Sequence, residues 1–414
     1  MDPSPTLFIN ARVFDGTDCL DSDAASVLVV GNRIEHVSLE RQFDSRARVI
    51  DLAGRTLSPG FIDAHFHAYA SHVNVQVLNA QPPSYGALHG ARSLRHALEC
   101  GFTTVRDVGG GDIGIARAIE DGLLPGPRYF FSGKILGMTG GHADWRRQED
   151  SGLTDPCSCR VDNRLCHIVD GADACRMAAR DELRKGAHCI KIMGSGGVAS
   201  PTDPIWLEEY TPDEVTAIVE EASRRRSYVA AHCHPAAAAR RCVDCGVRSI
   251  EHGTLIDEST AAHIASKGAF IVPTLSILFS LVENGQRLGF PPESQSKVME
   301  IADYSLQGLE IMARAGVKMG FGTDLMGILY ANQCREFALR RRVLPALDIL
   351  RSATSVNAEL MQLGSDLGRI VDGSLADLVV IDGDPFTDFN LLAQDGRHLS
   401  LIMKDGRIHR SSLA

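Results

Sequence analysis

No run of apolar residues in this chain approaches the roughly 20 that a membrane-spanning helix needs, so no membrane partner is expected. The opening Met1-Asp2-Pro3-Ser4-Pro5 has neither the basic flank nor the apolar core of a secretory signal. Positive charge is also short: 42 Lys and Arg against 52 Asp and Glu give a formal net charge of -10, which argues against nucleic acid or an anionic membrane. Aromatic residues make up only 6%, but 44% hydrophobic and 23% charged residues over 414 positions suit one large globular core with an accessory module. Cysteine is not paired in number. Eleven of them, scattered through helical and strand-like patterns, exclude a disulfide framework and read as reduced thiols in a cytoplasmic protein. Cys157-Ser158-Cys159 with nearby Cys166-His167 fits no structural zinc spacing, and Cys242 and Cys245 read as core-facing thiols of an alanine-rich helix.

What is present falls into three parts. Leu7-Phe8-Ile9, Val13-Phe14, Ser26 to Val30 and Arg33 to Val37, the last two flanking Gly31-Asn32, predict a small β module. Gly368-Arg369-Ile370, Gly373 to Asp382 and Leu401 to Ile408 repeat that pattern at the far end. Neither end has enough apolar faces to stand alone, so residues 1–56 and 369–414 are expected to pair into one discontinuous β-sandwich. Residues 57–368 alternate short apolar strands with amphipathic helices. Strands are predicted at Phe61 to His67, Thr103 to Asp107, Arg128 to Ser132, Cys189 to Met193, Tyr228 to His232, Ser249 to His252, Phe270 to Pro273 and Met319 to Thr323. Eight strands with intervening helices predict an α/β fold, a (β/α)8 TIM-like barrel whose chemistry gathers at the carboxyl ends of the strands.

Those strand ends carry the chemistry-bearing residues. Ser58-Pro59-Gly60-Phe61-Ile62-Asp63-Ala64-His65-Phe66-His67 is a turn running into a buried strand. Residues two apart on a strand share a face, so His65 and His67 project together, either as core histidines or as adjacent corners of a metal site. Lys191 interrupts the apolar run Cys189 to Met193, and a buried lysine is costly unless paired or chemically changed. His232 and His234 end the fifth strand, Glu251-His252-Gly253 the sixth, and Gly322-Thr323-Asp324 the eighth.

Together these motifs resemble the amidohydrolase superfamily, in its binuclear-metal branch with a carboxylated lysine, over nearly the whole chain. The resemblance implies that His65, His67 and Asp324 bind one divalent cation and His232 and His252 another, Zn2+ being the expected metal. It implies further that Lys191, as its carbon dioxide-derived carbamate, and a hydroxide bridge the two. Hydroxide would attack the scissile carbonyl, with Asp324 as general base and then acid.

The loops Met138 to Trp145, Gly194 to Pro204 and His232-Cys233-His234 resemble more narrowly the prolidase-like subgroup. Its members are Xaa-Pro dipeptidases, metallocarboxypeptidases and ochratoxin amidases. In that subgroup the residue aligning with His234 is often tyrosine, which touches the tetrahedral centre, so substrate preference does not carry across. His142, just after Gly140-Gly141, is expected to touch substrate as well, and Gly196 and Gly197 sit in a run that is either an amide nest for a substrate carboxylate or a plain turn. Residues 143–170 read as a lid, and Arg106 and Arg146 as loose candidates for a carboxylate partner, each more readily read as structural. The expected activity is hydrolysis of a non-cyclic amide in dipeptides or N-acyl amino acids. A lactone, carbamate, urea or phosphoester substrate stays open, as does a non-catalytic scaffold, although a scaffold would be expected to have lost ligands. A homo-oligomer is expected from resemblance alone.

Overall fold

The computed structural model describes residues 4–413 except 21, 23, 43, 147, 149–163 and 201. The chain opens with β1 (Thr6–Val13), β2 (Ala25–Val30), β3 (Arg33–Ser38), β4 (Arg48–Asp51) and β5 (Thr56–Pro59). Gly31-Asn32 turns β2 antiparallel onto β3, as its composition predicts. Three parallel strands follow: β6 (Phe61–Phe66), β7 (Phe102–Asp107) and β8 (Arg128–Phe131). A second parallel sheet contains β9 (Ile135–Gly137), β10 (Cys166–Ile168), β11 (Ile190–Met193), β12 (Val229–Pro235), β13 (Ser249–Leu255), β14 (Phe270–Val272) and β15 (Lys318–Met319), in the order β10-β9-β11-β12-β13-β14-β15. The chain ends with β16 (Leu378–Ile381), β17 (Leu399–Lys404) and β18 (Arg407–Ser411).

The two ends of the chain meet in one sheet, β18-β17-β16-β5-β1-β2-β3, with β4 alongside β1. Antiparallel pairing of β16 with β5 joins them, and a shared core holds Phe8, Val27 and Leu57 against Leu378, Val380 and Met403. Gly368-Arg369-Ile370 is not a strand, because Ile370 is tied singly to Asp15 rather than to a ladder.

In the middle of the chain, six-residue β6 and β7 are buried on both faces, so the polar residues they carry, Asp63, His65, Arg106 and Asp107, must find partners inside the fold. Helices lie between most of the parallel strands, among them Pro83–Glu99, Ala172–Arg184, Pro212–Arg224, Ala236–Asp244 and Pro292–Arg314. Helix Pro212–Arg224 shows why its start is where it is: Thr211 and Glu214 form a reciprocal capping box around Pro212.

The third predicted strand, Arg128 to Ser132, is β8, and an unpredicted short strand, β9, follows it. Ser132-Gly133-Lys134 separates β8 in one parallel sheet from β9 in the other, so the chain passes directly between the sheets. On the opposite side the Ala64 amide donates to Phe321 O and the Asp324 amide to His65 O, both at 2.8 Å. The predicted strand Met319 to Thr323 is reduced to Lys318–Met319 in the ladder, and its remainder hydrogen-bonds to β6 as irregular chain. No helix among the described residues is long and apolar enough to cross a membrane.

Candidate metal centre

Asp63 shows how the first strand builds the site. Fully buried, it accepts from the amides of His65 and Thr323, from Thr323 Oγ1 at 2.6 Å and from Gln333 Nε2 at 2.9 Å. This one carboxylate fixes the chain just before His65 and just before Asp324. Asp324 Oδ1 then lies 3.0 Å from His67 Nε2 and 3.4 Å from His65 Nε2, and these three donors all fall within 4.8 Å of one another. Asp324 and His252 both take left-handed backbone, with φ of 56° and 75°. For residues other than glycine that conformation is costly and clusters at functional sites.

The remaining rings continue the cluster. His65 lies 4.9 Å from His252 by ring centroid, His252 lies 4.5 Å from His232, and His234 lies 4.7 Å from His232. His142 stacks on His232 at 4.5 Å. Lys191, 2% exposed, lines the same pocket and has no hydrogen bond or ion pair among the described residues. Every predicted ligand, His65, His67, Lys191, His232, His252 and Asp324, thus lines one pocket together with His142 and His234.

Each ring is held from behind. Glu251 Oε2 sits 2.7 Å from His65 Nδ1, the Gly109 carbonyl 3.3 Å from His67 Nδ1, Thr274 Oγ1 2.7 Å from His252 Nδ1 and Thr254 Oγ1 3.0 Å from His234 Nδ1. A carboxylate or carbonyl only accepts, so Nδ1 of His65 and of His67 carries a proton; their Nε2 atoms face Asp324 and would offer lone pairs to a cation held between the three. His232 Nε2 is buried with no hydrogen-bond partner among the described residues. An orphaned imidazole nitrogen in a cluster of convergent donors is what a divalent cation would satisfy, so the residues present fit such a group.

The electrostatics agree with that fit. Burial pushes His232 and His252 well below the ordinary histidine value, which keeps them neutral, and it lowers the Lys191 ammonium in the same way. Burial would raise Asp324, but His65 and His67 outweigh it and hold the carboxyl well below its usual range. His234 is driven down to about 3, by burial first and then by His142.

The glycine run and the two arginines, left open between substrate and structure, have structural partners. The amides of Gly194 and Ser195 donate to His232 O, that of Gly196 to Leu207 O, and that of Gly197 to Asp203 Oδ2. The amide nest is therefore already filled from within. What Gly197 supplies is room: a Cβ there would meet His142 Cε1 at 2.5 Å and His232 Nε2 at 2.7 Å. Gly197→Ala is expected to push both rings aside and cut kcat/KM by about a hundredfold, the scale of misplacing a reacting group by an ångström. Steady-state kinetics at fixed metal content check it. Arg106 is not a substrate contact; fully buried, it donates to Ala64 O at 2.6 Å and to Glu251 Oε1 at 2.8 Å. Arg146 donates to Asp144. Of the expected lid, residues 149–163 lie outside the described residues, as do Cys157, Ser158 and Cys159; Trp145 and Leu165 line the pocket.

The Amidohydrolase family profile matches residues 56–408. The chain belongs to the amidohydrolase family. A curated relative, ochratoxinase from Aspergillus niger, is 30% identical over 367 residues, covering 86% of this chain and 75% of that one. A crystal structure of a prolidase complexed with N-methylphosphonate-L-proline is 43% identical, with a TM-score of 0.94 over 99% of this chain and 100% of the other. That of a Xaa-Pro dipeptidase with bound methionine is 29% identical, with a TM-score of 0.88 over 99% and 100%. These likenesses make this amidohydrolase a hydrolase acting on small molecules. Its family typically uses divalent metal ions, and His65, His67 and Asp324 supply a three-donor group for one.

Sequence reasoning singled out every ring of this centre but gave no part to the groups behind them. Asp63, Glu251, Thr254, Thr274 and the Asp203–His142 contact carry no spacing signal, because their partners come from distant strands.

Proposed function

We propose that this amidohydrolase cleaves a non-cyclic amide bond in dipeptides or N-acyl amino acids, using two divalent cations, with zinc the expected ion. The observation that carries the proposal is the convergence of His65, His67 and Asp324 with Lys191 and the unpartnered Nε2 of His232. His65, His67 and Asp324 would hold one cation, His232 and His252 the other, and Lys191, carboxylated, would join them. When bound, the cations lower the pKa of a water and polarise a carbonyl. The (β/α)8 barrel expected over residues 57–368 is supported by the hydrogen bonds linking the two parallel sheets on either side.

The chain's own groups then divide the remaining work. Asp324 would take the proton of the attacking water and pass it to the leaving amine. His234 and His142 flank the space a carbonyl would occupy, and their Nδ1 atoms are tied by Thr254 and by Ser200 with Asp203. Lys297 fastens the loop that carries Ser200 and Asp203, donating to the carbonyls of Gly197, Ser200 and Asp203. Asp203→Asn keeps this loop's shape but weakens the hold on His142. It is expected to lower kcat/KM by about tenfold to a hundredfold with little change in Tm, as measured by kinetics and thermal melting of the same preparation.

Val75, Leu78, Trp145, Leu165, Ile277 and Leu281 line the pocket, which favours an apolar side group on the substrate. Two of the relatives, a prolidase and a Xaa-Pro dipeptidase, point by name toward peptide bonds. The test is amine release by zinc-loaded protein from a panel of dipeptides and N-acyl amino acids, with Asp324→Asn as blank. Turnover absent from the blank supports the reading. Silence there, with cleavage of a lactone, carbamate, urea or phosphoester, replaces the amide with that bond.

A further inference from the structure

Among the described residues, two groups of three His, Cys, Asp or Glu donors lie within 4.8 Å of one another. One is the catalytic group, and the other is Cys100, Cys334 and Asp395. None of the second group lines the catalytic pocket. Cys100 caps the C-terminal end of helix Pro83–Glu99, two residues before β7, while Cys334 caps the N-terminal end of helix Arg335–Arg340. Asp395 lies in the loop before β17 in left-handed backbone, φ 50°. His96, one helical turn before Cys100, places Nε2 3.5 Å from its Sγ.

Both cysteines are 1% exposed, as packed hydrophobic cysteines would be. Two further features separate this pair from such packing. An imidazole and a carboxylate face the thiols, and the Asp395 carboxylate has no hydrogen bond or ion pair among the described residues. The loop is also pressed onto the helix end. A Cβ on Gly396 would meet Glu99 O at 2.2 Å, and Arg410 donates to the carbonyls of Glu99, Gly396 and Leu399.

We propose that Cys100, Cys334, Asp395 and His96 form a structural zinc site, distinct from the catalytic centre, that fastens helix Pro83–Glu99 to the loop leading into the terminal sheet. Bonds of about 2.3 Å to sulfur and about 2.0 Å to nitrogen or oxygen separate tetrahedral ligand atoms by roughly 3.3–3.8 Å, so Cys100, Cys334 and Asp395 need only a small contraction, and His96, beside Cys100, would turn inward as the fourth ligand. Thiolates and imidazole select zinc over magnesium or calcium. Binding releases the two thiol protons to solvent as the metal–sulfur bonds form. The site lies at the amino end of β7, the end of such folds that serves stability rather than chemistry.

Cobalt(II) is the probe. The catalytic ligands contain no sulfur, so a thiolate-to-cobalt charge-transfer band in the near ultraviolet of the cobalt-loaded full chain reports only a cysteine site. The band is expected in the unsubstituted protein and lost in Cys100→Ser and Cys334→Ser, each binding one metal fewer per chain. Asp395→Asn, a change in a partly exposed loop, keeps the readout should the serine variants not fold; its band should shift, with metal lost to a chelator at least about tenfold faster. A cobalt-loaded protein without the band, a band unchanged by all three substitutions, or a Cys100–Cys334 disulfide in the metal-loaded protein would overturn the proposal.

Discussion

Replacing Lys191 by methionine is expected to abolish turnover while leaving the protein folded. Lys191 is buried in β11 among the site's histidines and has no carboxylate of its own in contact among the described residues. As a bare ammonium it would be a desolvated charge next to neutral imidazoles, which costs several kcal/mol. As a carbamate, formed when its amine adds to carbon dioxide and loses a proton, it becomes an anion suited to two cations. Methionine keeps the length and removes both the charge and the carbamate. Folding stability is therefore expected to hold or rise, while kcat/KM falls by at least about 1,000-fold, or roughly 4 kcal/mol of transition-state stabilisation. A thermal melt together with amide turnover, each at equal protein and metal, separates the two effects. A large loss of Tm with residual turnover would make Lys191 a structural residue.

The second large effect is expected at Glu251. This carboxylate is fully buried between His65 Nδ1 at 2.7 Å and Arg106 Nη2 at 2.8 Å, and Ser249 Oγ donates to it at 2.5 Å. Burial would raise Glu251, but Arg106 and His65 outweigh it and hold it below its ordinary value. Glu251→Ala strands a buried guanidinium, so a loss of about 3–5 kcal/mol in urea unfolding is expected. It also frees the ring of His65, and metal affinity should drop by about tenfold to a hundredfold. Adding Arg106→Met to Glu251→Leu removes the stranded charge. That pair should recover most of the stability and none of the metal affinity, as read by unfolding and by competition with a chelator. Recovery of both would mean that Glu251 serves the fold alone.

The sequence made the catalytic rings legible for a simple reason. A strand presents alternate residues to one face, so His65 and His67 declare a shared direction, and a lysine inside Cys189 to Met193 declares an unusual burial. The joining of the chain ends was legible in the same way, because neither end buries enough apolar surface alone, and β16 does pair with β5. Other elements left weaker traces. β9 is three residues long and ends in glycine, so nothing marked it as a strand. Helix Leu275–Asn284 is apolar on most of its surface, and periodicity does not separate such a helix from a buried strand. Beyond Met319, Gly320 and Gly322 press against their neighbours and Asp324 turns left-handed, so the eighth predicted strand leaves the ladder early. Asp63, Asp203 and Glu251 stand inside the site motifs, but their roles went unread because a buried acid is defined by its partners, and the sequence does not name them.

The most direct measurement is anomalous diffraction at the zinc edge from crystals grown with Zn2+ and bicarbonate. The account predicts two strong peaks within the catalytic pocket, one against His65, His67 and Asp324 and one against His232 and His252, with added density of a carboxylate on Lys191 Nζ. A single peak there, or two peaks beside an unmodified Lys191, would contradict it.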